Sequence, residues 1–234
     1  IRLLEDRWGF RRETEGPVVP PASGGRIRGL VAELLDAEPT APSGVPVSTV
    51  PWSVLDQIKR TDLTLLPHQR TGLEWLWGRY SAVASAGAGA RNPGCLLADE
   101  MGLGKTLQVA CLLALATRLG KDRGPHLVVA PKILLENWRK EIQDYFTPRT
   151  LRTRIIASSD LVAGRGRLVD EAGQIKPREL EDDDVWVMNY ETVQAYGQPL
   201  ARIDWHVVVA DEAQAVKNPR TAASINLRGL KKRF

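Results

Sequence analysis

Apolar residues recur along this chain in two rhythms. Short, nearly continuous runs occupy residues 95–98 (Cys95, Leu96, Leu97, Ala98), 127–130, 154–157, 185–188 and 206–210. Runs of that length predict strands buried on both faces. Between them, apolar side chains recur three and four residues apart. Leu73, Leu76, Trp77 and Tyr80 do so within 65–80, and Leu107, Ala110, Leu113 and Ala114 from Lys105 onward. Within 132–146, Leu134, Leu135, Trp138, Ile142 and Tyr145 share one side. This spacing predicts helices with an apolar face. A core face accounts for the aromatic residues of 65–80 without any role in base stacking. Strands alternating with helices predict an α/β fold, a mostly parallel sheet with helices on both faces.

The remaining segments read as connections. Residues 81–93 are small and Ala/Gly-rich, as in a surface loop. Residues 164–184 form a polar insertion with a possible hairpin turning near Ala172 and Gly173. Its acidic run, Glu181 to Asp184, reads as a solvated loop rather than a metal site. Residues 1–60 differ in texture. Pro17, Pro20, Pro21, Gly24 and Gly25 form one linker-like patch, and Pro39, Pro42, Pro46 and Pro51 another. A short helix is expected between them at 27–35, while Trp8, Phe10 and Trp52 suggest docking. The expected division is an N-terminal extension at 1–60, laid against the lobe or belonging to an upstream domain, and one lobe at 61–234.

Composition narrows this picture only slightly. The 234 residues are 43% hydrophobic and 26% charged, enough for one good core. A net charge of +4 permits nucleic-acid binding without suggesting it. The two cysteines, Cys95 and Cys111, read as buried free thiols, and three scattered histidines are too few for a His-rich metal centre. No apolar stretch approaches the ~20 residues that span a bilayer, and no signal segment opens the chain. No membrane association is expected, and the location is expected to be intracellular: cytoplasmic or nucleoid in a bacterium, nuclear in a eukaryote. Because the chain starts at Ile1, it is expected to be part of something longer.

Candidate chemistry lies at two places. LADEMGLGKT (97–106) sits between a predicted strand and a predicted helix, the context of a phosphate-binding loop. Gly102 and Gly104 allow the backbone to approach phosphate, and free N–H groups at the helix start attract the anion. Lys105 is expected to reach the β/γ-phosphates and Thr106 to ligate Mg2+. One departure is visible: the general pattern G-x-x-x-x-G-K-[ST] has glycine where this chain has Asp99. The second place lies 106 residues beyond the lysine (211 − 105), where a valine run ends in Asp211 and Glu212. Ligands bind at that edge of open parallel sheets. Asp211 is placed to hold the metal, directly or through water, and Glu212 to orient and deprotonate an attacking water.

DEMGLGKT, DEAQ, LTLLPHQRTGLEWL (63–76) and APKILLENWRKEI (130–142) together resemble the first motor lobe of the Swi/Snf-type ATPases, within the superfamily-two helicases. The resemblance covers about 61–234 and implies a RecA-like P-loop lobe. It accounts for Asp99, since that family carries D-E-M-G-L-G-K-T. It implies that residues Asp99, Met101, Gly102, Leu103, Gly104, Lys105 and Thr106 bind ATP, with Gln69 reading the adenine edge. His68 beside it reads as a packing or hydrogen-bonding neighbour. Pro131, Lys132, Asn137 and Trp138 fall on the family segment that faces the nucleic-acid backbone, although the helical pattern favours the core for Trp138. Asn189 and Tyr190, in the block resembling T-Y-E-T, are expected at nucleic acid too. Gln214 stands where D-E-A-H has histidine, on the nucleotide side.

The function implied is the ATP-binding lobe of a DNA-dependent ATPase that translocates on double-stranded DNA, with ATP and Mg2+ as cofactors. A second RecA-like lobe outside this chain would supply arginines, worth roughly 10³–10⁵ in turnover in other P-loop enzymes. The lobe alone is therefore expected to be nearly inactive. The competing reading is a non-hydrolytic scaffold that binds nucleotide or DNA. The pair Asp211 and Glu212 argues against it for the parent protein.

Overall fold

Alternation along the strands decides how this fold is layered. In β1 (His126–Val129), Leu127 and Val129 face one side of the sheet and Val128 the other. In β3 (Val185–Met188), Trp186 and Met188 share the side of Leu127, while Val185 and Val187 join Val128. Side chains two apart on a strand share a face, so both faces of this sheet need apolar cover. The structure is a computed structural model. It describes residues 49–85, 94–99, 102–120, 124–163, 165–166, 168–176, 179 and 183–234.

With β2 (Thr153–Ile155) and β4 (Val208–Ala210), these strands form a four-stranded sheet in the order β2-β3-β1-β4. Every pairing is parallel, with Val129 beside Met188 on one side and Ala210 on the other. One face is covered by α1 (Trp52–Ile58), α2 (Pro67–Ser85), α3 (Lys105–Leu119) and α4 (Leu135–Tyr145). Leu55, Leu73, Leu113 and Ile142 are fully buried there. The other face carries α5 (Tyr190–Ala195), α6 (Gly197–Ala201), α7 (Ala222–Gly229) and part of the insertion. Trp186 and Trp205 meet edge to face there, with ring centroids 5.8 Å apart, an arrangement aromatic quadrupoles favour. The α/β architecture expected from the alternation, a parallel sheet with helices on both faces, is present. No described helix is long and apolar enough to cross a membrane.

Three expectations shift. The run at 95–98 is irregular backbone rather than a strand: Leu96 is 42% exposed, while Cys95 and Leu97 lean on the core. A strand needs a partner ladder, and the outer side of β4 is taken by residues 231–234. There Arg233 N donates to Trp205 O, Phe234 N to His206 O, and Val208 N to Phe234 O, at 2.8–3.1 Å. Second, the polar insertion is not wholly solvated, because Leu168 and Val169 are buried in the second core. Its hairpin does turn near Gly173 (φ +72°), closed by Asp170 N to Gln174 O at 2.9 Å and by the antiparallel bridge Val169–Ile175. Third, Asp183 and Asp184 are not simply solvated. They pair with Arg154 and Arg152 of the β2 edge. Glu181 and Asp182 lie outside the described residues, as do the expected helix at 27–35, Trp8 and Phe10. The docking suggested by Trp52 is present: Leu55 and Ile58 are core, Arg60 N donates to Tyr145 O, and Arg70 stacks on Trp52 at 4.1 Å.

Burial also governs the thiols and histidines. It pushes Cys95 up to about 11 and Cys111 up to about 12, so neither is a reactive thiolate near neutrality. Beneath the sheet's amino end, Tyr80 Oη lies 2.6 Å from His206 Nε2, and the His206 and His126 rings stand edge to face at 5.3 Å. The Thr117 hydroxyl donates to Leu113 O, which leaves its oxygen to accept from His126 Nε2 at 2.9 Å. His126 Nδ1 is buried without a partner. Burial, then the neighbouring His206, push His126 down to about 3 from 6.5. A depressed folded-state value means stability that is fully present above pH 6.5 and lost as pH falls toward 3. Stability should therefore fall from pH 6.5 to about 5, by up to about 1.4 kcal/mol per pH unit, and the melting temperature with it. Thermal melts of His126→Gln should show a flatter decline; an unchanged slope would clear His126 of the effect.

Candidate functional site

The loop before α3 is shaped by glycine. Gly102 (φ +88°) and Gly104 (φ +75°) sit in left-handed backbone, and a Cβ on Gly104 would overlap Gln69 Nε2. Only glycine fits that close approach without strain. Lys105 opens a 15-residue helix, so the N–H groups of its first turn and the positive end of the helix dipole face the loop. Lys105 Nζ donates to Asp99 O at 2.8 Å, drawing the lysine back over its own loop. Met101 lies outside the described residues.

Gln69 does more than the sequence suggests. Its Oε1 accepts from Leu66 N at 2.9 Å and its Nε2 donates to Leu103 O at 3.3 Å. His68 Nε2 lies 3.2 Å from the same carbonyl. The start of α2 thus grips the glycine loop itself. Gln108 was not singled out by sequence reasoning. It is fully buried on α3, donates to Asp99 Oδ2 at 3.1 Å, and keeps Oε1 without a partner. The available signal was a polar side chain inside the apolar stripe of 107–116. Its bond explains a use for Asp99: that carboxylate ties the loop to the helix behind it.

At the carboxyl edge of β4, Asp211 is held at four atoms. Its N–H donates to Val129 O at 2.8 Å, fixing it to the end of β1. Oδ1 accepts from Glu212 N at 2.9 Å, and Oδ2 accepts from the Trp138 indole N–H at 2.8 Å. Its carbonyl accepts from the Tyr190 hydroxyl at 2.6 Å. A hydrogen bond to a charged group contributes about 1.5–3 kcal/mol, so the indole is a substantial restraint. A carboxylate offers about four lone-pair positions. With one used on each oxygen, both oxygens retain capacity for a metal. Glu212 follows in left-handed backbone at φ +51°, uncommon for a residue with a Cβ. The Gln214 amide donates to the Glu212 carboxylate. Burial, then the charges of Asp211 and Glu212, raise Tyr190 above the usual phenol range.

The residues expected at nucleic acid divide. Lys132, in the 3₁₀ turn Lys132–Leu134, and Asn137 on α4 are exposed. Asn189 caps α5, with Oδ1 accepting from Thr192 N at 2.8 Å. Tyr190 is buried, and its hydroxyl points into the lobe at Asp211 rather than outward. Trp138 is 4% exposed, as a core side chain should be, but its indole reaches the acidic pair. Among the described residues no group of three or more His, Cys, Asp or Glu could hold a metal by itself. A Mg2+ here would rely on Thr106, Asp211 and phosphate oxygens, and hydroxyl and carboxylate are the hard donors that ion takes.

Residues 68–233 match the SNF2-related domain family. The chain is 30% identical over 194 residues to the Zorya protein ZorD of Escherichia coli, covering 79% of this chain and 17% of that protein. It is 34% identical over 166 residues to the ISWI chromatin-remodeling complex ATPase ISW1 of Saccharomyces cerevisiae, covering 70% of this chain and 13% of that one. The fold resembles the Sulfolobus solfataricus SWI2/SNF2 ATPase core solved in complex with dsDNA. That match has a TM-score of 0.56 and 30% identity, and covers 74% of this chain and 31% of that structure. The chain thus spans less than a third of any of these relatives. With the family match spanning residues 68–233, well over half of the chain, this chain belongs to the SNF2-related domain family.

Proposed function

We propose that this lobe binds ATP with Mg2+ and is one half of a motor that couples ATP hydrolysis to movement on double-stranded DNA. The observation that carries the reading is Asp211, fixed at the carboxyl edge of the sheet with free lone pairs on both oxygens. The names of the relatives support it, since ISW1 is an ATPase and the solved core was bound to dsDNA.

In this reading the loop N–H groups and Lys105 take the β- and γ-phosphates, the lysine exchanging the Asp99 carbonyl for a phosphate oxygen. Thr106 and Asp211 would hold the metal, which when bound would neutralise phosphate charge. Glu212 orients the attacking water and accepts its proton. Lys132 and Asn137, exposed at the head of α4, face the DNA backbone, where lysine and amide side chains suit phosphate. Gln214 and Gln69 complete the nucleotide side.

The test is phosphate release by the intact protein, with and without duplex DNA. Duplex should stimulate turnover strongly, while residues 1–234 alone stay near the uncatalysed level. An intact protein that binds nucleotide but is indifferent to DNA would overturn the reading.

A further inference from the structure

Both blocks that resemble nucleic-acid contacts send a buried side chain to the same residue. Trp138 follows Asn137 on α4, and Tyr190 follows Asn189 at the start of α5. The Trp138 indole N–H meets Asp211 Oδ2 at 2.8 Å, and the Tyr190 hydroxyl meets Asp211 O at 2.6 Å. Each acts on a different part of the acidic pair. An indole is a donor only, so Trp138 sets where one carboxylate oxygen points and which lone pair remains. The carbonyl of Asp211 lies in the peptide plane just before Glu212, whose φ is +51°. Tyr190 therefore pins the plane that holds Glu212 in its uncommon conformation.

Neither contact is needed to fill the core, since a phenyl ring at either position would be as apolar. Both side chains are stiff, and each springs from an element whose outer residue is proposed to meet DNA. We propose that Trp138 and Tyr190 are positioning residues that make the aim of Asp211 and Glu212 depend on how α4 and the start of α5 are seated on DNA. This inference rests on the proposed function above and extends it. It assigns the link between the DNA-facing segments and the acidic pair to two named hydrogen bonds.

The test uses Trp138→Phe and Tyr190→Phe in the intact protein, each keeping a buried ring and losing the donor. Mg2+ is titrated against a fluorescent, non-hydrolysable ATP analogue, and duplex DNA affinity is measured with and without that analogue. Trp138→Phe should raise half-saturating Mg2+ about tenfold, the usual scale for losing a partner of a metal-ligating carboxylate. Nucleotide affinity without Mg2+ should be unchanged. The effect of bound nucleotide on DNA affinity should shrink in the same variant, because coupling between two sites is reciprocal. Tyr190→Phe should lower kcat about tenfold with KM for ATP unchanged, as expected for a transition-state effect.

Equal loss of nucleotide affinity with and without Mg2+ would mean a merely structural role and overturn the proposal. So would unchanged Mg2+ dependence and kcat. If Trp138→Phe does not fold, the kcat against KM split in Tyr190→Phe decides. Failure of the wild type to bind the analogue or DNA at all would instead sink the proposed function.

Discussion

Lys105→Ala should abolish ATP turnover by the intact protein, with a loss on the order of 10²–10³-fold or more, the scale for removing one preorganised charge-stabilising donor. The residue sits at the head of a 15-residue helix, where the dipole and the N–H groups of the first turn already favour an anion. Its ammonium adds a full charge that the phosphates would feel most as they gain negative charge in the transition state. One of its bonds in the structure goes to Asp99 O, a neutral carbonyl, and losing such a bond costs about 0.5–1.5 kcal/mol. Phosphate release and analogue binding measured together check this. ATP binding that survived Lys105→Ala at full strength would show the loop is not the nucleotide site.

Glu212→Gln should separate binding from chemistry. The amide keeps the shape of the side chain but cannot accept a proton, and general-base catalysis typically contributes 10²–10⁴-fold. Turnover should fall by roughly that factor, while MgATP and DNA affinities persist. Asp211, the carboxylate assigned to the metal, is untouched, as are its bonds to Trp138 and Val129. The measurement is single-turnover hydrolysis alongside equilibrium binding. Turnover at the wild-type rate would remove Glu212 from the proton transfer and revive the scaffold reading.

These two candidates stand out in the sequence because their proposed chemistry is local. A glycine turn before a helix, and carboxylates closing a valine strand, each follow from a few consecutive residues. Periodicity likewise gave the layers, since it reports which side chains avoid water. It is silent on which strand pairs with which. The run at 95–98 has a strand's composition, yet its ladder depends on a neighbour that β4 finds instead in residues 231–234. Leu168 and Val169 were hidden by the polarity around them, because burial of two residues inside an insertion leaves no period to detect. The acidic run looked solvated until Arg152 and Arg154, about 30 residues earlier in the chain, lined up with Asp184 and Asp183. Trp138 shows the same boundary most clearly. Its apolar face predicted the core, but nothing within α4 could say that its one polar atom would meet a carboxylate 73 residues away.

The bonds from α2 to Leu103 have a thermodynamic meaning. Gln69 Nε2 donates to that carbonyl, with His68 Nε2 at hydrogen-bonding distance, so this part of the loop is ordered before any phosphate arrives. Ordering that would otherwise oppose association is complete at folding, and more of the contact energy appears as affinity. Gln69 would thus strengthen nucleotide binding through preorganisation of the loop, independently of any contact with the base.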